Sequence, residues 1–360
     1  LGLITDALWT DFNNDGWQDL IVTGEWMPIL FFENQKGYLK KLDQTGVESA
    51  SGWWKSVTAG DLDNDGDLDY VFGNFGNNTF YKATTEMPMT IIAKDFDENG
   101  SIDPFISFYV RDSLGTKRNY LYHPWDDVIK QFRALRKSFN SYSDFGEATV
   151  KEIFENQNVS NALIRTTNWM ESSWAENLGN NKFKLHKLPK EAQWAPVFGT
   201  TTFDLNQDGY EDLLIIGNDY GVEVNQGRLD ALQGLALINN KEKGFIPQTL
   251  EQSNFIVPKN GKSIVQINIA EQPYFVASQN NDSLKVFKPI FDLEPKIISW
   301  KAGETNCLIY SKSNTVQKRS IQDSYSFQSQ GTSSFWIPKQ TQKIEFYNST
   351  QKILRTEVYE

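Results

Sequence analysis

Four nine-residue segments of this chain place oxygen donors at alternating positions around a glycine. They are Asp11-Phe12-Asn13-Asn14-Asp15-Gly16-Trp17-Gln18-Asp19, Asp61-Leu62-Asp63-Asn64-Asp65-Gly66-Asp67-Leu68-Asp69, Asp95-Phe96-Asp97-Glu98-Asn99-Gly100-Ser101-Ile102-Asp103 and Asp204-Leu205-Asn206-Gln207-Asp208-Gly209-Tyr210-Glu211-Asp212. Position 1 is Asp, positions 3 and 5 are Asp or Asn, position 6 is Gly and position 9 is Asp. Calcium takes six to eight oxygens at about 2.3–2.6 Å, and a tight loop with carboxylates at alternating positions aims them at one point. The seventh position (Trp17, Asp67, Ser101 or Tyr210) adds a backbone carbonyl. The Asp61 loop has Asp at all four side-chain positions, whereas each of the others has three Asp and one Asn. It is the strongest expected site, and about four calcium ions are expected in all.

An EF-hand starts in the same way but carries a bidentate Glu at position 12. Here that position is Val22, Phe72, Ile106 or Ile215, each inside an apolar run. Short strand-like runs such as Val57-Thr58-Ala59 and Ile91-Ile92-Ala93 also precede the loops. Each loop therefore joins strand to strand. Further runs follow, such as Ile29-Leu30-Phe31-Phe32 and Leu235-Ala236-Leu237-Ile238. About four strands in each 40–50 residues is the period of a β-propeller blade.

The loops begin 50, then 34, then 109 residues apart. The last gap exceeds one blade, so an insertion is expected at about residues 111–162. Within it, Asp126 to Phe139 is apolar at 128, 129, 132, 135 and 139, with acids first and bases last, as a helix dipole favours. A second short helix is expected from Glu147 to Phe154. A fifth blade without a calcium loop is expected from Ile264 to Phe287. The expected organisation is thus all-β: propeller blades over 1–291, a helical insertion, and a small β domain over 292–360. The first loop starts close to Leu1 and the fifth blade runs into another domain. The ring is therefore expected to be open, with blades missing before Leu1.

The net charge of −11 disfavours nucleic acid and anionic membrane surfaces as partners. One cysteine, Cys307, excludes an internal disulfide, so in a secreted protein some other staple must hold the fold. No run of about 20 apolar residues is present. The two histidines, His123 and His186, stand 63 residues apart and form no zinc spacing. No nucleophile elbow, phosphate loop or dinucleotide fingerprint is present.

The four loops resemble the FG-GAP or VCBS repeats of integrin α-subunits and bacterial surface proteins. The segments Ala192-Gln193-Trp194-Ala195-Pro196-Val197 and Gly227-Arg228-Leu229-Asp230-Ala231-Leu232-Gln233-Gly234 are similar to the cartilage acidic protein-like branch found in Bacteroidota. Ser324-Tyr325-Ser326-Phe327-Gln328-Ser329-Gln330 and Lys343-Ile344-Glu345-Phe346-Tyr347 resemble motifs of an ASPIC/UnbV-type domain, although both glycines of the first motif are replaced. The resemblance implies a non-catalytic calcium-binding scaffold at the bacterial outer-membrane surface, carrying a lipid anchor in many relatives and binding protein or glycan. The alternative is a carbohydrate-active enzyme of lyase type on the same scaffold. The insertion, with Trp125, Arg133 and Arg136, and the pair Arg228 and Asp230 are the partner-binding candidates. Trp26, Trp53, Trp54, Trp169, Trp174 and Trp194 read either as sugar platforms or as packing between blades.

Overall fold

The computed structural model describes residues 2–155, 157–241, 244–291, 296–321 and 334–359. The chain is mainly β. One five-stranded, two four-stranded and one three-stranded antiparallel sheet form a row. The first sheet holds Leu3–Thr10, Asp19–Pro28, Leu30–Asn34 and Leu39–Lys41, with Ser51–Trp53 added beside Asp19–Pro28. The second holds Ser56–Gly60, Asp69–Gly73, Ser173–Asn177 and Phe183–Lys187. The third holds Val197–Phe203, Asp212–Gly217, Leu235–Asn239 and Phe245–Pro247. The fourth holds Gly261–Ile269, Gln272–Gln279 and Lys285–Phe287.

The first strands of these sheets lie side by side in chain order. They carry small side chains where they crowd, and Thr58 and Thr200 meet hydroxyl to hydroxyl at 2.6 Å. Apolar cores fill the spaces between successive sheets. Ile21, Phe31, Tyr70 and Phe72 pack between the first and second. Val71, Leu213, Ile215 and Leu237 pack between the second and third, and Phe203, Ile216, Ile264 and Phe275 between the third and fourth. A strand with neighbours on both faces must be apolar throughout, which explains the fully buried run Leu213-Leu214-Ile215-Ile216.

The insertion is larger than its helical pattern suggests. Strand Asp69–Gly73 pairs with Ser173–Asn177, with Val71 opposite Trp174. The second sheet is therefore interrupted between its second and third strands, and residues 74–172 form the excursion. The Asp95 loop, expected to open a blade, lies inside that excursion. It joins Met89–Lys94 to Asp103–Arg111 in a separate sheet completed by Lys117–Leu121 and Leu163–Thr167. The helical stretch is also broken. Trp125–Gln131 is α-helical, Phe132 departs to φ −132 and ψ 74, and Arg133–Lys137 continues as a 3₁₀ turn. That departure lets the Phe132 ring stack on Phe96 at 4.7 Å. The second expected helix is two, Tyr142–Glu147 and Val150–Phe154, the latter closed by a Thr149–Glu152 capping box.

In the fourth sheet the loop position between the first two strands is the turn Ala270-Glu271, both residues at positive φ. Asn280-Asn281-Asp282 lies in the turn of the second hairpin, between Gln272–Gln279 and Lys285–Phe287. The C-terminal unit pairs Lys296–Ser299 with Ser334–Ile337. Beside this pair it orders Val316–Ser320, Asn306–Ser311, Thr341–Tyr347 and Ile353–Val358 in one sheet. The expected boundary at 292 and the motif Ser324 to Gln330 lie outside the described residues. Trp336 of this unit packs on Phe203 at 4.9 Å, which joins it to the third and fourth sheets. Among the described residues no helix is long and apolar enough to cross a membrane.

Candidate metal site

The four nonapeptides adopt one geometry. Position 4 is left-handed in each: Asn14 at φ 61, Asn64 at 62, Glu98 at 58 and Gln207 at 59. The glycine at position 6 follows at φ 89 to 94. That conformation is disfavoured for side chains with a Cβ, which is why glycine recurs there. The first Asp accepts the N–H of this glycine in every loop, at 3.0 Å for Asp11, 3.2 Å for Asp61, 2.8 Å for Asp95 and 2.7 Å for Asp204. The last Asp accepts the N–H of position 2, at 3.2 Å for Asp19, 3.0 Å for Asp69, 2.9 Å for Asp103 and 2.7 Å for Asp212.

Position 5 folds inward, so Asp15, Asp65, Asn99 and Asp208 each accept the N–H of position 7. Those N–H groups belong to Trp17, Asp67, Ser101 and Tyr210, so the side chains at position 7 need not be ligands. At position 3, Asn13, Asp63 and Asn206 accept from position 5.

The Asp61 loop departs from its siblings at its first carboxylate. Asp11, Asp95 and Asp204 each use Oδ1 to accept the N–H of position 5, at 3.0, 3.0 and 2.9 Å. Asp61 Oδ1 has no hydrogen-bond partner, although the residue is fully buried. A buried carboxylate oxygen left bare costs several kcal/mol by order of magnitude, unless a cation meets it. Oxygens of Asp61, Asp63 and Asp65 lie within 4.8 Å of one another, as do those of Asp95, Asp97 and Asp103. That span matches oxygens placed about 2.3–2.6 Å around one calcium ion.

Burial, with repulsion from neighbouring acids, makes Asp19, Asp61, Asp67, Asp69 and Asp212 hard to ionise without a cation. Loss of water lifts Asp19 to about 7, Asp212 to about 8 and Asp69 to about 9. Burial also raises Asp61, with Glu211 and Asp65 adding repulsion. Asp67 reaches about 8 from burial and the charges of Asp65 and Asp63.

Three asparagines missed in the sequence reading complete three of the loops. The last Asp also accepts a backbone N–H from the end of its sheet's third strand: Asn34 to Asp19 at 2.7 Å, Asn177 to Asp69 at 2.8 Å and Asn239 to Asp212 at 2.7 Å. The amide of Asn177 reaches Phe12 O of the first loop at 2.9 Å, and that of Asn239 reaches Leu62 O of the second at 2.6 Å. Each stitches its sheet to the preceding one. The available signal was Glu33-Asn34, Glu176-Asn177 and Ile238-Asn239 closing a strand-like run.

Residues 11–72, spanning the first two loops, match the family described as the FG-GAP-like repeat. This stretch is an FG-GAP-like repeat. No curated protein matches the chain.

The row of sheets has two ends. The loops at Asp11, Asp61 and Asp204 lie at the starts of second strands. The excursion of 74–172 and the segment 218–234 leave from the opposite ends of such strands. At that opposite end Trp26, Trp53, Phe75 and Tyr81 form a buried aromatic cluster, with Trp53 centred 5.1 Å from Trp26 and 4.8 Å from Phe75. Trp54 is also buried, so these three tryptophans act in packing.

Trp125 packs on Phe145 at 4.7 Å inside the excursion, whereas Arg133 and Arg136 are exposed on its surface. Arg228 stacks over Tyr220 at 4.8 Å and makes no ion pair with Asp230 among the described residues. His123 Nε2 accepts the Ile106 N–H at 3.2 Å, which occupies the lone pair a base would need. His186 stacks on Trp174 and bonds Glu176 at 2.7 Å.

Proposed function

We propose that this chain is an arc of β-propeller blades stapled by calcium, and that it serves as a non-catalytic binding scaffold. The bare, buried Oδ1 of Asp61 carries the metal reading. Asp61, Asp63, Asp65 and Asp69 would hold one ion with the carbonyl of Asp67. The equivalent residues Asp11, Asn13, Asp15 and Asp19, then Asp95, Asp97, Asn99 and Asp103, then Asp204, Asn206, Asp208 and Asp212, would hold three more. Calcium would supply the positive charge that lets these acids share a small volume ionised. Four ions add eight charges to the net −11 and leave about −3.

The row of first strands and the cores between sheets support the propeller reading. The binding surface is then the end of the row of sheets opposite the loops, from which both the excursion that carries Arg133 and Arg136 and the segment that holds Arg228 and Asp230 depart. The partner is a protein or glycan at a bacterial outer-membrane surface, a location that rests on the resemblance of the loops and the C-terminal strands to such surface proteins.

Metal analysis of protein equilibrated with calcium and then desalted, paired with melting in chelator, tests this. The expected result is up to four ions per chain and a lower melting temperature after chelation. A chain that retains no calcium and melts identically with and without chelator overturns the proposal.

A further inference from the structure

We infer that the C-terminal unit is a clamp on three of the four loops, and that its docking and their metal loading form one linked equilibrium. This rests on the calcium reading above. The strand Val316–Ser320 runs across the loop turns. The Lys318 backbone N–H donates to Asp61 Oδ2 at 2.7 Å, the carboxylate whose other oxygen is bare. Gln317 Nε2 donates to Asn64 Oδ1 at 2.6 Å and also to Gly209 O. Lys318 Nζ bonds Asn14 Oδ1 and reaches Asp11 O at 3.4 Å. From the next hairpin Gln351 Nε2 donates to Asp11 Oδ2 at 3.2 Å. Arg319 pairs with Glu211 at 3.0 Å, where both side chains are nearly dry.

Shape supports the same contact. A Cβ on Gly16 would sit 2.1 Å from Ser349 O, and one on Gly66 would sit 3.5 Å from Val316. Gln317 and Lys318 are each 3% exposed. The strand thus touches the first loop at Asp11 and Asn14, the second at Asp61, Asn64 and Gly66, and the third at Gly209, while the Ser349 hairpin closes on Gly16.

The Asp95 loop is outside this contact. Glu98, Asn99, Gly100, Ser101 and Ile102 are exposed, and a Cβ on Gly100 would meet nothing within 4 Å. The charge balance permits docking on loaded loops. Asp11, Asp15 and Asp19 with Asp61, Asp63, Asp65, Asp67 and Asp69 are eight carboxylates. Two calcium ions bring four positive charges and leave four negative ones facing Lys318. An ordered loop presents its acceptors to the clamp, and by reciprocity the clamp retains the ion in the loop.

The test uses the whole chain and two readouts. Calcium release into a fluorescent chelator by stopped flow should show a fast phase from the Asp95 loop and a slow phase from the three clamped loops. D97A should delete only the fast phase. The double variant Gln317→Ala with Gln351→Ala should speed the slow phase about tenfold or more, the scale of one or two lost hydrogen bonds. Hydrogen exchange supplies the second readout: protection of 316–320 should fall on chelation while that of 341–347 persists.

A single release phase for all ions, or protection of 316–320 unchanged after the ions are removed, overturns the clamp while leaving the calcium reading intact. Absence of any bound calcium fails the calcium reading itself, and the clamp falls with it.

Discussion

Asn177→Ala isolates the stitch between the second and first sheets. The substitution keeps the backbone N–H that serves Asp69 but removes the amide that donates to Phe12 O at 2.9 Å and Leu68 O at 3.3 Å. Asn177 is 3% exposed, so solvent does not readily replace that donor. Each buried carbonyl left without its donor costs about 1–3 kcal/mol, and the longer contact falls at the lower end. The expected loss is about 2–4 kcal/mol in calcium-saturated protein. Asn34→Ala is the internal control. Its amide donates to Gln18 O of its own sheet at 2.8 Å and its oxygen accepts from exposed Gly37, so about 1 kcal/mol is expected. Urea unfolding followed by tryptophan fluorescence, with calcium held constant and equal m-values required, measures both. Equal costs for the two variants would refute the inter-sheet role of Asn177, and with it the assignment of Ser173–Asn177 as third strand of the second sheet.

Asp65→Ala should lower stability by a few kcal/mol in calcium, through loss of a ligand and repulsion among the remaining acids, while partner binding by the folded protein persists; a variant with unchanged melting but lost binding would place the ion at the binding surface instead. For metal-free protein the pH dependence runs opposite to ordinary acid denaturation. Asp19, Asp212 and Asp69 hold protons more tightly folded, at about 7, 8 and 9, than at the ordinary 3.8. Their contribution is therefore fully present below about 4 and is lost as pH rises toward 9, so stripped protein should melt higher at pH 5 than at pH 8 by circular dichroism, and the reverse order would contradict the burial argument. Arg319→Met leaves Glu211 buried without its cation, since the two side chains are only 11% and 5% exposed; a loss of about 3–5 kcal/mol is expected, and equilibrium unfolding indistinguishable from wild type would show the pair to be dispensable.

Each loop is legible in the chain because nine adjacent residues contain nearly all of its geometry. The Asp at position 1 reaches the glycine five residues on, and the Asp at position 9 reaches back seven, so spacing alone announces the turn, the left-handed glycine and the convergence of oxygens. The flanking strands were readable for the same local reason.

Long-range pairing decided what those loops belong to. The Asp95 loop has the same nine-residue pattern as its siblings, yet it lies in an excursion because Tyr70, Val71 and Phe72 pair with residues about a hundred positions later. No periodicity within a loop encodes that choice. It follows from which apolar faces cover one another. The asparagine stitches and the C-terminal clamp are of this second kind: Lys318 meets Asp61 across 257 residues, a contact formed because a strand with buried polar groups must find donors and acceptors wherever the packed sheets present them.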